Sequence, residues 1–348
     1  MVQIQSNLNT DRGSRDFLRK AAVTALCEHY TFAGAVCSLS TNCKQVLEAA
    51  RASFLSVEQL SGPVDFSMRF WVDDAERPQA PWPAPYVRGL DHLIFAGFDE
   101  RSSMLVDLRS RRVIGRFSAA MASDGAHWRS VIFPILLSIL AGSIGIVELH
   151  ASCIARDHRG LLLMGPSCSG KSTLALALTE AGFRLLSDDR IFCSLKQGQL
   201  LAYGLPRPLK LRREAACWFE QLRDQEPMVL QDGERVFYCE PNQRLGQPLP
   251  QTCEPQALVV LEQKPNPGFR MTRMRRSDVK SRIEADLLAE APEDVEKQDH
   301  IINSLLGLPC WHLEYGGRPQ VIAEQITKSF FDHDGVDSSK SRMPGRTI

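Results

Sequence analysis

The feature that most constrains this chain is a glycine-rich loop set between an apolar run and a helix-forming run. Residues 165–172 read Gly-Pro-Ser-Cys-Ser-Gly-Lys-Ser, which matches the phosphate-loop pattern G-x-x-x-x-G-K-[ST] at every specified position. Apolar residues 161–164 precede the loop and residues 173–180 follow it, so the pattern has the strand–loop–helix context that it requires. The segment predicts an α/β fold built around a nucleotide-binding loop.

The chemistry of phosphate binding explains this choice of residues. Glycines let backbone N–H groups turn inward around phosphate oxygens, and the helix N-terminus adds the positive end of its dipole. We expect Lys171 to reach the β- and γ-phosphates and the Ser172 hydroxyl to ligate Mg²⁺. ATP with Mg²⁺ is the predicted ligand, although no base-reading motif distinguishes ATP from GTP. The predicted nucleotide-binding residues are Gly165, Pro166, Ser167, Cys168, Ser169, Gly170, Lys171, Ser172 and Thr173.

Composition limits the partners and the compartment. Lys plus Arg and Asp plus Glu each total 41 in 348 residues, so no overall charge favours nucleic acid or a membrane surface. The ten cysteines form no C-x-x-C pair, and the N-terminus has no apolar signal region, so we predict a cytoplasmic protein in which the thiols are reduced and most of them are buried. The uncharged run 131–147 contains Pro134 and Gly142 and predicts a buried helix rather than a membrane span. Homo-oligomerisation stays open.

Hydrophobic patterning divides the chain into three parts. Residues 1–122 predict an α+β domain of unknown role, residues 123–331 a phosphate-loop domain, and residues 332–348 a polar, disordered tail. The first domain has predicted strands at 32–39, 66–72, 93–98, 103–107 and 113–117 and a helix at 41–53. The second has predicted strands at 146–154, 160–164, 183–188 and 258–262, with a hairpin turn at 155–159, and predicted helices at 277–288, 293–306 and 319–331.

Three further residues are predicted to lie near the loop. His150 lies on the strand upstream of it, and Asp188 and Asp189 end the strand that follows its helix. Phosphoryl transfer needs a metal holder, charge neutralisation and a group that orients or deprotonates the attacking hydroxyl. Two adjacent carboxylates at a strand end can divide those tasks, because consecutive side chains point in different directions. The alternative to a catalytic role is that Asp188 and Asp189 form a solvated turn and that His150 is a hydrogen-bonded structural residue at a strand end.

Residues 146–215 resemble the catalytic domain of HPr kinase/phosphorylase, a bacterial enzyme that phosphorylates a serine of a sugar-transport phosphocarrier protein. The family has a G-H/F-R-L-V-A-D-D strand, whose counterpart here is Ala-Gly-Phe-Arg-Leu-Leu-Ser-Asp-Asp at 181–189, and an upstream H-G pair matched by His150 and Ala151. The resemblance implies a phosphate-loop kinase domain of the HPr-kinase/phosphoenolpyruvate-carboxykinase type with a mixed sheet. It also implies Asp189 as the base, Asp188 and Ser172 as metal ligands, Lys171 as the stabiliser of the transferring phosphoryl group, and His150 as support for the aspartate pair.

The sequence departs from that family at its second signature, an E-I-R-G-x-G strand that carries a Glu ligand for Mg²⁺. Residues 201–211 are only loosely similar and have no acid at the expected place, and Glu214 stands in a different context. We therefore predict a kinase that phosphorylates a hydroxyl, with serine of a protein or peptide as the first choice and a small molecule as another, without phosphorylase activity. The alternative is a nucleotide-binding regulatory or scaffold protein. Cys168 is predicted to be a neutral filler of the loop, and Arg207 is a candidate to assist the transfer.

Overall fold

A computed structural model describes residues 22–60, 62–73, 80–205, 208–229, 233–240, 252–287 and 292–331. The strands of these residues are β1 (Leu26–Phe32), β2 (Ala35–Thr41), β3 (Leu55–Ser56), β4 (Phe66–Asp73), β5 (Tyr86–Leu90), β6 (Leu93–Gly97), β7 (Ser103–Asp107), β8 (Arg112–Ser118), β9 (Val147–Leu149), β10 (Ala151–Arg156), β11 (Arg159–Met164), β12 (Arg184–Ser187), β13 (Ile191–Lys196), β14 (Gln199–Gly204), β15 (Leu209–Arg212), β16 (Met228–Val229), β17 (Arg235–Cys239), β18 (Thr252–Gln263), β19 (Gly268–Arg273) and β20 (Cys310–Gly316).

The α-helices of the same residues are α1 (Lys44–Arg51), α2 (Ala119–Ser123), α3 (Gly125–His127), α4 (Phe133–Leu140), α5 (Lys171–Glu180), α6 (Glu220–Arg223), α7 (Arg276–Asp286), α8 (Pro292–Gly307) and α9 (Pro319–Phe330). A π-helical turn at Trp128–Ile132 precedes α4, and 3₁₀ turns occupy Gly142–Ile144 and Arg213–Trp218. The chain is thus a mixed α/β protein, as the sequence predicts. No helix among the described residues is long and apolar enough to cross a membrane.

The chain divides into two compact units, and the first comprises the described residues of Met1–Glu148, Phe192–Pro206 and Asp286–Asn303. Its sheet has the order β3-β1-β2-β4-β8-β7-β6-β5. Strands β2 and β8 alternate between buried and more exposed side chains, because one face of this sheet packs on the core. The parallel neighbours β2, β4 and β8 form its centre, and the meander β6-β7-β8 is antiparallel.

Aromatic side chains fill the core of this unit. The Trp128 ring is fully buried, and its centroid lies 4.6 Å from that of Phe117 and 5.1 Å from that of Phe133. Trp128 Nε1 donates a 3.0 Å hydrogen bond to the Met121 carbonyl, so the indole has no unsatisfied polar atom. Helix α4 follows with Pro134 in its first turn, where a missing N–H costs nothing, and it buries most of its side chains. The apolar run 131–147 is therefore core, as predicted.

The second unit comprises the described residues of Leu149–Ile191, Arg207–Ala285 and Ser304–Ile348. Within it, β12, β10, β11 and β18 are neighbours in that order, β20 pairs with β18, and β19 pairs with β20. The sheet is mixed, because β10 and β11 are antiparallel whereas β11 runs parallel to β18 and β18 runs parallel to β20. The carboxyl ends of β11, β18 and β20 consequently lie at one edge. A separate three-stranded sheet has the order β15-β17-β16.

Several local predictions are confirmed and two are wrong. The hairpin at 155–159 is confirmed by the antiparallel pairing of β10 with β11, in which Arg156 lies opposite Arg159. The single strand predicted at 32–39 is wrong, because Ala33 (φ 49°) and Gly34 (φ 87°) form a two-residue turn between β1 and β2. The single strand predicted at 146–154 is also wrong, since it is interrupted at His150. The predicted domain limits stay predictions, and the tail at 332–348 lies outside the described residues.

We expect Trp128→Ala to destabilise the first unit by about 3–5 kcal/mol, because truncating a fully buried indole leaves a cavity. The matched control is Trp71→Ala on β4, where the indole is only partly buried. Urea unfolding followed by circular dichroism should show a clearly larger drop in midpoint for Trp128→Ala. Equal midpoints for the two variants would contradict the assignment of Trp128 to the centre of this core.

Candidate functional site

The phosphate loop spans the six residues between the last residue of β11, Met164, and the first residue of α5, Lys171. Gly165 (φ 150°) and Gly170 (φ 83°) adopt backbone conformations that favour glycine. A methyl group at Gly165 would press on Ser169 Oγ and the Leu261 carbonyl, and one at Gly170 would collide with the Tyr315 hydroxyl. Both glycines of the motif are therefore required by the shape of the loop.

Tyr315 of β20 anchors the loop from the neighbouring part of the sheet. Its hydroxyl donates a 2.7 Å hydrogen bond to the Ser169 carbonyl, and its ring is buried. Burial raises the pKa of the Tyr315 phenol, so the hydroxyl stays protonated and remains a donor at neutral pH. Sequence analysis missed this residue, because 146 positions separate it from Ser169 and no local pattern marks it.

Lys171 folds back over the loop that it follows. Its Nζ donates to the Gly165 carbonyl at 2.8 Å and to the Pro166 carbonyl at 3.2 Å, and only 8% of the residue is exposed. The ammonium group thus lies across the mouth of the glycine loop. From there it can exchange a carbonyl oxygen for a phosphate oxygen with little movement of the chain.

Asp188 follows β12 and is buried beside the first turn of α5. Ser172 Oγ donates to Asp188 Oδ2 at 2.7 Å, and Ser152 Oγ on β10 donates to Asp188 Oδ1. Burial raises the pKa of this carboxyl, and Asp189 adds to that effect, whereas the two serine hydroxyls and Lys171 act in the opposite direction. Ser152 is a second residue that the sequence did not reveal, because buried serines on strands are common.

Asp189 has surroundings unlike those of its neighbour. Its backbone adopts φ 72°, which is uncommon for a residue with a side chain and is a feature often found at functional sites. The carboxylate is about half exposed, and its Oδ1 lies 3.2 Å from Nδ1 of His150, whose side chain is also about half exposed. His150 immediately precedes β10, and Asp189 lies two residues after β12. Because β10 and β12 are antiparallel neighbours, these two strand ends bring the pair together.

These groups line one cavity of about 550 Å³. Its volume is in the range of small-molecule and cofactor sites. Of the predicted nucleotide-binding residues, those at 167–173 line the cavity, whereas Gly165 and Pro166 do not. The rest of the lining includes side chains of both charges and aromatic and apolar residues. The lining residues are His150, Ser167, Cys168, Ser169, Gly170, Lys171, Ser172, Thr173, Leu174, Asp188, Asp189, Pro208, Lys210, Leu211, Arg212, Glu214, Ala215, Trp218, Glu234, Gln263, Tyr315, Gly317 and Pro319.

The sequence has one cluster of basic residues at 207–213 and another at 270–276. Lys210 and Arg212 line the cavity, whereas the described arginines of the run 270–276 do not. Arg273 instead lies 4.1 Å from the centre of the Trp311 ring, and Arg275 pairs with Asp278 at 3.1 Å. Arg207 lies outside the described residues. Cys168 Sγ accepts a hydrogen bond from Arg212, and its role as a neutral filler stays a prediction.

The residues that could hold a metal ion are Ser172 and Asp188. Their hydroxyl and carboxylate oxygens are adjacent, and Mg²⁺ prefers such hard oxygen ligands and completes its shell with waters and substrate phosphates. The donor set therefore fits Mg²⁺ bound together with a nucleotide. Among the residues that the structure describes, no cluster of three or more His, Cys, Asp or Glu side chains could hold a metal by itself.

No protein-family model matches the chain, and no curated protein matches it. Among solved structures, the chain is similar to the Hpr(Ser) kinase/phosphatase from Coxiella burnetii, with 16% sequence identity and a TM-score of 0.29 over 54% of this chain and 99% of that one. A likeness at this TM-score carries no argument about fold or function. The geometry of the cavity has to support any functional assignment.

We expect Asp188→Asn to raise the melting temperature at pH 8 by about 2–4 °C, which corresponds to about 1 kcal/mol. The folded protein binds the Asp188 proton more tightly than the unfolded chain does, since burial raises this pKa. The contribution of Asp188 to stability is therefore present at acidic pH and is lost as pH rises through the folded-state pKa.

Thermal melts between pH 5 and pH 8 test this dependence. The gain of Asp188→Asn over wild type should shrink toward pH 5. Asp189→Asn is the matched control, because the same chemical change at a half-exposed neighbour should alter the melting temperature little. A variant Asp188→Asn that is less stable than wild type at pH 8 would show that its ionised form is favoured by the fold.

Proposed function

We propose that this protein is an ATP- and Mg²⁺-dependent kinase that transfers the γ-phosphate to a hydroxyl, with serine of a protein or peptide as the favoured acceptor. The observation that carries this proposal is the convergence of three pairs of groups on one cavity. The phosphate loop with Lys171 provides an anion site, Ser172 with Asp188 provides hard oxygen ligands, and Asp189 with His150 provides a proton acceptor and its partner.

The loop supports phosphate binding in two further ways. Helix α5 is ten residues long and begins at the loop, so its unpaired N–H groups point toward the cavity. Ser169 lines the cavity, and its buried Oγ has no hydrogen-bond partner among the described residues. Leaving a buried hydroxyl unpaired is costly, so this orphaned group is evidence for a polar ligand above the loop.

When bound, Mg²⁺ would neutralise phosphate charge and orient the phosphate chain. Ser172 and Asp188 would hold it, and Ser152 keeps the Asp188 carboxylate in place through its hydrogen bond to the other oxygen. The Asp188 carboxyl must be deprotonated to act as a ligand. Because burial raises its pKa, metal binding should weaken as the pH falls and this carboxyl becomes protonated.

The transfer step needs a base beside the acceptor, and Asp189 fits that need. Its half-exposed carboxylate takes the proton of the attacking hydroxyl as the new O–P bond forms and the bond from the γ-phosphorus to the β,γ-bridging oxygen breaks, which releases ADP. His150, 3.2 Å from Asp189 Oδ1, orients the carboxylate and can pass the proton to solvent. Lys171 stabilises the negative charge on the transferring group.

The resemblance to HPr kinase/phosphorylase agrees with these roles, but it does not extend to phosphorolysis. Residues 201–211 lack the acid that the family's second signature carries, so we propose transfer from ATP without the reverse reaction that uses inorganic phosphate. ATP is the proposed nucleotide, and the phosphocarrier is not proposed as the acceptor.

We expect Asp189→Asn to lower phosphoryl transfer by about 10²–10⁴-fold, because an amide cannot accept the hydroxyl proton. The assay incubates the full-length protein with radiolabelled Mg·ATP and an extract of the source cell, and mass spectrometry identifies what becomes labelled. The matched control is Asp157→Asn, the same change in the exposed turn between β10 and β11, which should label as wild type does.

Nucleotide affinity, measured by calorimetry, should be nearly the same for wild type and Asp189→Asn. Equal labelling by the two proteins would remove Asp189 from the role of base. If wild type binds Mg·ATP tightly and labels nothing, the kinase proposal fails and the regulatory nucleotide-binding function replaces it.

The Ser172 hydroxyl should be needed for the effect of Mg²⁺ on nucleotide binding. We expect Ser172→Ala to reduce the tightening of ATP binding by Mg²⁺ at least about tenfold, because one of two hard protein ligands is lost. Ser167→Ala is the control, since the Ser167 hydroxyl contacts Cys168 Sγ rather than Asp188. Calorimetric titrations with Mg²⁺ and with EDTA measure the effect, and an unchanged Mg²⁺ dependence in Ser172→Ala would exclude Ser172 as a ligand.

A further inference from the structure

Strand β15 presents two cations to the cavity from outside the phosphate loop. Its residues alternate, so that Leu209 and Leu211 are buried in the core of the second unit while Lys210 and Arg212 are exposed. Both cations line the cavity. Antiparallel pairing with β17 fixes the register of β15, with Arg212 opposite Val236.

Glu234, just before β17, holds both cations. One of its oxygens lies 2.7 Å from Lys210 Nζ, and the other lies 2.8 Å from Arg212 Nε. One carboxylate is thus shared by the two cations of this strand. The pairing also restricts the rotamers of the long Arg212 side chain and directs the rest of its guanidinium group.

Arg212 is directed at the phosphate loop itself. Its Nη1 donates to Cys168 Sγ at 2.5 Å, and Cys168 is the fourth residue of the loop. A thiol sulfur is a weak acceptor, whereas a phosphate oxygen forms strong, charge-assisted hydrogen bonds with a guanidinium group. A nucleotide seated on the loop would therefore offer Arg212 a much better partner within a short reach.

We propose that Arg212 binds the phosphate chain of the nucleotide from the open side of the loop, opposite Lys171, and that Glu234 positions it. This assignment deepens the function proposed above and rests on its nucleotide-binding half, but not on the transfer step. The buried, unpartnered hydroxyl of Ser169 in the same loop is an independent sign that a polar ligand occupies the space. A planar guanidinium suits the paired oxygens of a phosphate chain better than an ammonium group does.

Lys210 is the matched control for Arg212. It carries the same charge on the same strand and the same face and pairs with the same Glu234, but it makes no contact with the loop among the described residues. An effect of net charge on the cavity should appear equally in variants of either residue. A direct contact with phosphate should appear at Arg212 alone.

The experiment measures the affinity of full-length wild type, Arg212→Gln, Arg212→Lys and Lys210→Gln for the Mg²⁺ complex of a non-hydrolysable ATP analogue by calorimetry. We expect Arg212→Gln to weaken binding at least about tenfold, Arg212→Lys to weaken it about threefold because the charge remains without the fork, and Lys210→Gln to change it less than about twofold. Thermal melts without nucleotide check that each variant is folded. If Arg212→Gln is not folded, the affinity of Arg212→Lys still decides the test.

Unchanged affinity in both Arg212 variants would overturn the assignment, and so would equal losses in Arg212→Gln and Lys210→Gln. No acceptor is present in this experiment, so its outcome does not depend on whether the protein transfers phosphate. If wild type labels no acceptor while Arg212→Gln loses nucleotide affinity, only the kinase half of the proposed function is lost. If wild type binds no nucleotide, the nucleotide-binding half and the role of Arg212 fail together.

Discussion

The parallel alignment of β11 with β18 and of β18 with β20 determines where the candidate site of this protein lies. It brings the carboxyl ends of three strands to one edge. The phosphate loop follows β11 at this edge, beyond the last strand pairing of β11 with β18. Tyr315 then anchors the loop by its hydrogen bond to the Ser169 carbonyl. The other groups of the cavity are positioned relative to this anchored loop.

The adjacent residues Asp188 and Asp189 differ in burial and in hydrogen-bond partners, because the backbone at Asp189 turns the second side chain into different surroundings. Burial raises the pKa of Asp188, and two serine hydroxyls donate to its carboxylate and hold it in place. Asp189, with a left-handed backbone, is half exposed and contacts His150. One pair of adjacent residues thus provides both a buried carboxylate held by hydrogen bonds and an accessible carboxylate beside a histidine.

Elements that local patterning encodes could be predicted from the sequence, whereas two breaks within apolar runs could not. The strand–loop–helix unit, the β6-β7-β8 meander and helix α9 were recognisable, since each is encoded by local patterning. The turn at Ala33 and Gly34 was not, because Ala33 carries no turn signal and the apolar run continues through it. The break at His150 was hidden for a similar reason: buried Leu149 and Ala151 flank the exposed histidine, in the alternation of an unbroken strand.

By itself, the sequence determined the mixed α/β class, the phosphate loop and the closeness of Lys171 and Ser172, because these depend on residues adjacent in the chain. Only the tertiary structure decided that Tyr315 and the Arg212–Glu234 pair line the same cavity and that Ser152 holds Asp188 from behind it. Serine, tyrosine and arginine on strands have many ordinary roles, and their types and spacing carry no signal of a site. Their roles arise from strand order and register, which are set by the packing of the whole sheet rather than by any local segment.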